Sequence, residues 1–121
     1  SGSGVYGDIG ELAVREDLPL RPISPYGASK LACEAMISAY CHMFGITALA
    51  LRFANVVGPN QTHGVAYDFI RRLRGNPAEL SILGDGTQSK SYVHVDDVVD
   101  ALLGLFPSAG GLKILNVATE D

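Results

Sequence analysis

The stretch Tyr26-Gly27-Ala28-Ser29-Lys30 sets a phenol four residues ahead of an ammonium. In a helix, residues i and i+4 share a face, about 6 Å apart along the axis. A free phenol, with a pKa of about 10, is a poor base near neutrality. A cation fixed beside it favours the phenolate. Such a pair can take the proton of a sugar or alcohol hydroxyl while hydride leaves the same carbon. The spacing alone is common, since a surface tyrosine followed by a solvated lysine also produces it. Its weight comes from the residues around it.

For the pair to act, Tyr26 must open a helix beside a sheet. Ser24 can cap a helix and Pro25 suits its first turn. That helix is predicted to run to about Phe44 and to stop at Gly45. Its apolar residues Leu31, Ala35, Ile37, Ala39, Met43 and Phe44 cover more than one stripe. This predicts burial on two sides, one against a sheet and the other open to a partner subunit. Residues 5–25 read as loop. Residues 46–53 are short and nearly all apolar, the mark of a buried strand in a parallel sheet, and Gly58-Pro59-Asn60 breaks it.

Residues 65–74 form a second predicted helix, with Phe69, Ile70 and Leu73 inward and arginines outward. Gly75-Asn76-Pro77 ends it. A short strand is expected at 80–83, a turn at Gly84-Asp85-Gly86 and an alternating strand at 91–95. Asp96 is the expected cap of a helix over 97–106. Residues 107–111 read as loop and 113–117 as a last strand. Strands alternating with helices define an α/β class.

Composition narrows the function. The chain has 121 residues, 47% hydrophobic and 18% charged, so it folds around a core. The net charge of −4 and the lack of a basic block argue against nucleic acid. Arg71-Arg72-Leu73-Arg74 reads as the solvated face of a helix. No apolar run is long enough to span a membrane. Cys33 and Cys41 lie about 12 Å apart along one predicted helix, too far for a disulfide. Two free thiols fit a reducing cytosol. His42, His63 and His94 have no metal-ligand spacing with carboxylates or thiols, so no metal is expected. His42 reads as exposed on a helix and His94 as packed in a strand. Glu34, one turn past Lys30, reads as a helix salt-bridge partner.

The surroundings of Tyr26 form a collinear series. Val5-Tyr6-Gly7 comes first, then Glu16-Asp17, Pro22-Ile23-Ser24-Pro25, and Tyr26 to Lys30 with Glu34 beyond. Leu51-Arg52-Phe53-Ala54-Asn55-Val56-Val57-Gly58-Pro59 and Gly84-Asp85-Gly86-Thr87-Gln88 follow. Tyr92-Val93-His94-Val95-Asp96-Asp97-Val98 and Leu115-Asn116-Val117 close it. In this order the chain resembles the extended short-chain dehydrogenase/reductase family, in its NAD-dependent nucleotide-sugar epimerase/dehydratase branch.

The resemblance implies part of a Rossmann-like parallel sheet plus part of a smaller substrate-binding lobe. Residues 1–58 would belong to the NAD-binding domain. Residues 59–121 would mix the substrate lobe with segments returning to the main sheet. Gly2-Ser3-Gly4-Val5-Tyr6-Gly7 matches G-x-G-x-x-G, but no strand precedes it and no helix is expected to follow, so it is rejected as a dinucleotide fingerprint. The family's glycine-rich turn lies nearer its N-terminus. The resemblance therefore implies a piece of a larger enzyme, inactive by itself.

By resemblance Tyr26 is the general base and acid, and Lys30 assists it and binds the nicotinamide ribose. The family's third residue is a Ser or Thr, where this chain has Gly2. Ser1 or Ser3 takes the role, or the site is altered; Ser3 is the preferred candidate. Ala54 would touch cofactor, and Asn55 would bind the substrate diphosphate. Lys90 stands where relatives carry an arginine to the nucleotide phosphate; it supplies charge without a bidentate fork. Ser81, Ile82 and Leu83 match a strand along the nucleotide base, and the segment His63 to Val65 closes over the sugar. The dehydratases carry an Asp-Glu pair where this chain has Ser3-Gly4. That favours a UDP-glucose 4-epimerase-like enzyme over a dehydratase or reductase. A catalytically inactive interaction module is the reading from another class. Relatives pair through the Tyr-x-x-x-Lys helix, which implies a homodimer, and the expected compartment is the cytoplasm.

Overall fold

The computed structural model describes residues 3–10, 13–106 and 110–119. Ser1 and Gly2, and most of the expected loop at 107–111, lie outside them. A single 3-10 turn, Ser3–Val5, comes first. The chain then runs as loop to helix α1, Pro25–Phe44. Both ends of α1 follow from their residues. The Ser24 hydroxyl accepts the Gly27 backbone N–H at 3.0 Å, and Pro25 fills the first turn. Gly45 closes the helix in the left-handed conformation, φ 66°, donating its N–H to the Cys41 carbonyl.

The buried residues of α1 are Gly27, Glu34 and Cys41, spaced by seven and therefore on one line. That line is the buried part of the helix among the described residues. Met36, Tyr40, Met43 and Phe44 are more than half exposed, with the Tyr40 and Phe44 rings stacked 5.5 Å apart. The expected burial on two sides is thus met on one side within this chain.

Strand β1, Ala48–Phe53, pairs in parallel with β4, Leu112–Val117. After a bend at Ala54 the chain continues as β2, Asn55–Val57, which pairs in parallel with β3, Tyr92–His94. One running strand therefore changes partner at a single residue. The Ala54 N–H goes to the Val117 carbonyl at 2.9 Å and the next N–H, of Asn55, to the Ser91 carbonyl at 3.1 Å. The Ser91 and Thr119 hydroxyls, 2.9 Å apart, tie the end of β4 to the start of β3. In chain order, α2, Val65–Gly75, connects β2 to β3, and α3, Val95–Gly104, connects β3 to β4.

Four expectations are corrected. Residues 80–83 form no strand: no neighbouring strand offers them a ladder among the described residues, and they run as exposed loop. The third helix begins two residues earlier than expected because β3 leads straight into it. Its cap is His94, whose Nδ1 accepts the Asp96 N–H at 3.3 Å, so Asp96 lies inside the first turn and His94 is half exposed. No residue of α2 is buried, and Ile70 and Leu73 are exposed. Glu34, expected to pair along its own helix, forms its ion pair across to the sheet with Arg52.

That last pair centres the core. Arg52 on β1 and Glu34 on α1 have side chains 2% and 5% exposed, joined by Nε to Oε1 at 3.0 Å and Nη2 to Oε2 at 2.7 Å. The fork–fork geometry satisfies both groups after they leave water. Arg52 Nη1 donates to the Tyr6 hydroxyl at 2.7 Å, and that hydroxyl donates to Asn116 Oδ1 at 2.7 Å. Asn116 is the register partner of Arg52 on β4. Its N–H reaches Glu16 Oε1 at 2.7 Å. Tyr6 is 2% exposed and Val5 fully buried, with Ala50, Leu51 and Val93 completing the apolar interior. The Glu34 hydrogen bonds, before all else, hold the Arg52 guanidinium above its ordinary pKa.

Two outcomes follow from this core. Arg52→Met takes the counter-charge from a buried carboxylate and is expected to destabilise the fold by about 3–5 kcal/mol in urea unfolding; replacing Arg52 and Glu34 together by apolar residues is expected to recover most of that loss. The Asn116 N–H lowers the Glu16 carboxyl below its ordinary pKa. Its contribution is therefore complete above the usual glutamate range and disappears as pH falls through the lowered value. Urea midpoints measured from about pH 6 to about pH 3 are expected to decline, and Glu16→Gln to flatten part of that decline.

Candidate active site

In an open α/β sheet, ligands collect where the carboxyl ends of strands part company. Here that place is the fork at Ala54. A cleft of about 1090 Å³ opens beside it, lined by Tyr26, Ala54, Asn55, Val65, Ile82, Leu83 and Lys90 among others. A smaller hollow of about 370 Å³ adjoins it, lined by Ser3 and sharing Ala54, Asn55 and Lys90.

Tyr26 occupies the first turn of α1, just after Pro25, and is 66% exposed. Lys30 lies one turn further on, with Nζ 5.2 Å from the centre of the Tyr26 ring. The two side chains thus share a face, as their spacing predicts. That face lies roughly 60–100° around the helix from the buried line of Gly27, Glu34 and Cys41. The helix is anchored by one stripe, while Tyr26 on the neighbouring stripe lines the cleft.

Ser3 is exposed in the 3-10 turn, which packs on α1. Gly27 permits this approach: a side-chain carbon there would run into the Gly4 carbonyl. Asn55 is exposed at the start of β2, and its Nδ2 donates to the Ser91 carbonyl at 3.2 Å, which fixes the amide's orientation. Val65 begins α2 and leaves its side chain partly open to the cleft. Ile82 and Leu83 line the cleft, whereas Ser81 does not; its carbonyl accepts a hydrogen bond from Arg72 Nη1. Lys90 is exposed between the two hollows.

Arg72 is a residue that the sequence reading set among outward-facing arginines. It lines the cleft together with Val65, Asp68 and Phe69. The spacing 65, 68, 69, 72 is that of one helical face, and it could have been found by that signal. Asp85 beyond the cleft is held below its ordinary pKa by the Thr87 hydroxyl and belongs to a tight turn. Among the described residues, no three His, Cys, Asp or Glu side chains gather as a metal site.

The groups at the α1 end are a phenol, an ammonium and a serine hydroxyl. That donor set fits the ribose and ring end of a nicotinamide dinucleotide. Among the described residues, no strand-to-helix glycine turn offers the amide cradle its diphosphate needs; Ser3–Val5 is one 3-10 turn leading into loop.

A parallel α/β fork with Tyr26 lining its cleft and Lys30 beside that ring belongs to a Rossmann-like fold. Residues 1–118 match the NAD dependent epimerase/dehydratase family. The chain belongs to that family, an NAD-dependent enzyme family of Rossmann fold. It is 39% identical over 124 residues to a UDP-glucose 4-epimerase of Mycolicibacterium smegmatis, covering 98% of this chain and 39% of that protein. A crystal structure of UDP-galactose 4-epimerase superposes with a TM-score of 0.87 at 44% identity, over all of this chain and 40% of the other. The structure of MoeE5 in complex with UDP-glucose and NAD gives a TM-score of 0.87 at 38% identity, over all of this chain and 41% of the other. The chain thus spans about two fifths of the length of these relatives.

Proposed function

We propose that the intact protein is an NAD-dependent nucleotide-sugar epimerase acting at C4 of a UDP-hexose. The observation that carries this reading is the Lys30 ammonium 5.2 Å from the Tyr26 ring at the rim of the cleft beside the fork. The UDP-sugar 4-epimerases among its relatives supply the substrate class. NAD, when bound, supplies the two-electron acceptor for sugar oxidation and the donor for its reversal.

In this reading the chain's own residues handle the proton and the substrate. Tyr26 takes the proton of the C4 hydroxyl and later returns it, with the Lys30 ammonium beside its ring. Ser3 orients that hydroxyl, and Lys30 also holds the ribose of the cofactor beside Ala54. Asn55 and Lys90 bind the diphosphate, one by amide and one by charge. Ile82 and Leu83 form the wall along the nucleotide base, and Val65 closes over the sugar. Residues 1–58 contribute to the cofactor domain and 59–121 to the substrate lobe with returning segments. The exposed apolar stripe of α1 supports pairing as a homodimer, and two free thiols support a cytoplasmic setting.

In the intact protein, Tyr26→Phe is expected to lower kcat for UDP-galactose conversion by about 100-fold or more, with bound NAD unchanged by extraction and assay. Normal turnover of that variant would remove the assignment. Lys90→Ala is expected to raise KM for the nucleotide sugar by about tenfold with kcat little altered, because it removes a charge-assisted contact made before and during the reaction. Release of water and a deoxy-keto product in the same assay would identify a dehydratase instead.

A further inference from the structure

Among the described residues, the 3-10 turn Ser3–Val5 is closed by a backbone bond from the Tyr6 N–H to the Ser3 carbonyl at 3.1 Å. The two residues that follow Ser3 and Gly4, Val5 and Tyr6, are the largest fully buried side chains among the described residues. The Tyr6 hydroxyl sits between Arg52 Nη1 and Asn116 Oδ1, each at 2.7 Å, with the guanidinium 4.9 Å above its ring. Arg52 in turn is clamped by Glu34, two turns along the helix from Tyr26. The connection closes on itself. From the Ser3 turn it passes through Tyr6, Arg52 and Glu34 into α1, and returns where Gly27 touches Gly4.

We propose that Tyr6 is a positioning residue: through Arg52 and Glu34 it fixes the turn that carries Ser3 against the helix end that carries Tyr26. The proposal rests on the reading of Ser3 and Tyr26 given above. If Tyr6 only filled the core, a phenyl ring of the same shape would serve equally. The hydroxyl is what couples the turn to Arg52 and Asn116. Loss of the hydroxyl leaves the ring in place and removes the coupling. The turn then moves relative to α1, and a misplacement of this kind reduces the rate of a chemical step far more than it reduces binding.

Tyr6→Phe in the intact, NAD-loaded protein is the test, with Tyr26→Phe run beside it. Amide hydrogen exchange over residues 3–7 is expected to accelerate without substrate present. The kcat with UDP-galactose is expected to fall by about 10- to 100-fold, with KM and the calorimetric affinity for UDP within about twofold. Faster exchange with unchanged kcat, or unchanged exchange, overturns the proposal. A normal Tyr6→Phe beside an inactive Tyr26→Phe sinks the anchor alone. Normal turnover in both removes the Tyr26 reading and the anchor with it. Asn116→Ala, which takes away the acceptor of the same hydroxyl, provides the same readouts where Tyr6→Phe fails to fold.

Discussion

A guanidinium cannot sit between a helix and a sheet unless nearly every one of its donors is met. Arg52 is in that position, and the fold is arranged around meeting it. Glu34 takes two donors, and the Tyr6 hydroxyl takes another. A weaker contact runs to the Glu16 carbonyl at 3.4 Å. Removing water from two opposite charges costs several kcal/mol for each, and only a complete set of partners offsets that. Four segments far apart in the sequence are consequently held in one arrangement. They are the N-terminal turn, the loop at Glu16, helix α1 and the ladder of β1 with β4. The N-terminal turn, the loop before Glu16 through Val14, and Arg52 and Asn116 of the ladder line the smaller hollow, and α1 carries Tyr26 to the cleft.

Much of this architecture was legible in the residues because its signals are local. Ser24-Pro25 and Gly45 mark the ends of α1 by backbone chemistry that does not depend on the rest of the chain. The apolar run before Phe53 could only be a buried strand. The sharing of one face by Tyr26 and Lys30 follows from helical spacing. The core network was not legible. Tyr6, Glu16, Glu34, Arg52 and Asn116 stand out in the sequence as recurring landmarks, but Tyr6 and Asn116 are separated by 110 positions. What brings them together is the parallel register that sets Asn116 opposite Arg52, and register is a property of the assembled sheet. The same reasoning explains two local errors. Residues 80–83 have strand-forming side chains but no partner strand among the described residues. His94 displaced Asp96 as a cap because β3 passes into α3 without a loop.

The cleft divides its tasks by element. The rim next to α1 presents the Tyr26 phenol, and the fork presents the Asn55 amide with its orientation already set. Beyond them α2 turns Val65, Asp68, Phe69 and Arg72 toward the same space, while the loop from 76 to 91 contributes Ile82, Leu83 and Lys90. Under the proposed function, the helix and strand ends carry the residues whose geometry would govern the reaction. The exposed loop carries those that would recognise the remainder of the ligand, where small shifts matter less.

Gly27 shows how far local preference yields to this arrangement. Alanine in the first turns of a helix is favoured over glycine by roughly 1 kcal/mol when nothing else intervenes. A routine helix-stabilising substitution would therefore choose this position. The methyl group it adds has nowhere to go except into the Gly4 carbonyl, and a shift of backbone would be needed to admit it. A protein engineered for a stronger helix at this point would gain thermal resistance only by prising the N-terminal turn away from its seat. Stability and competence at residue 27 are set in opposition by a single hydrogen-to-methyl exchange.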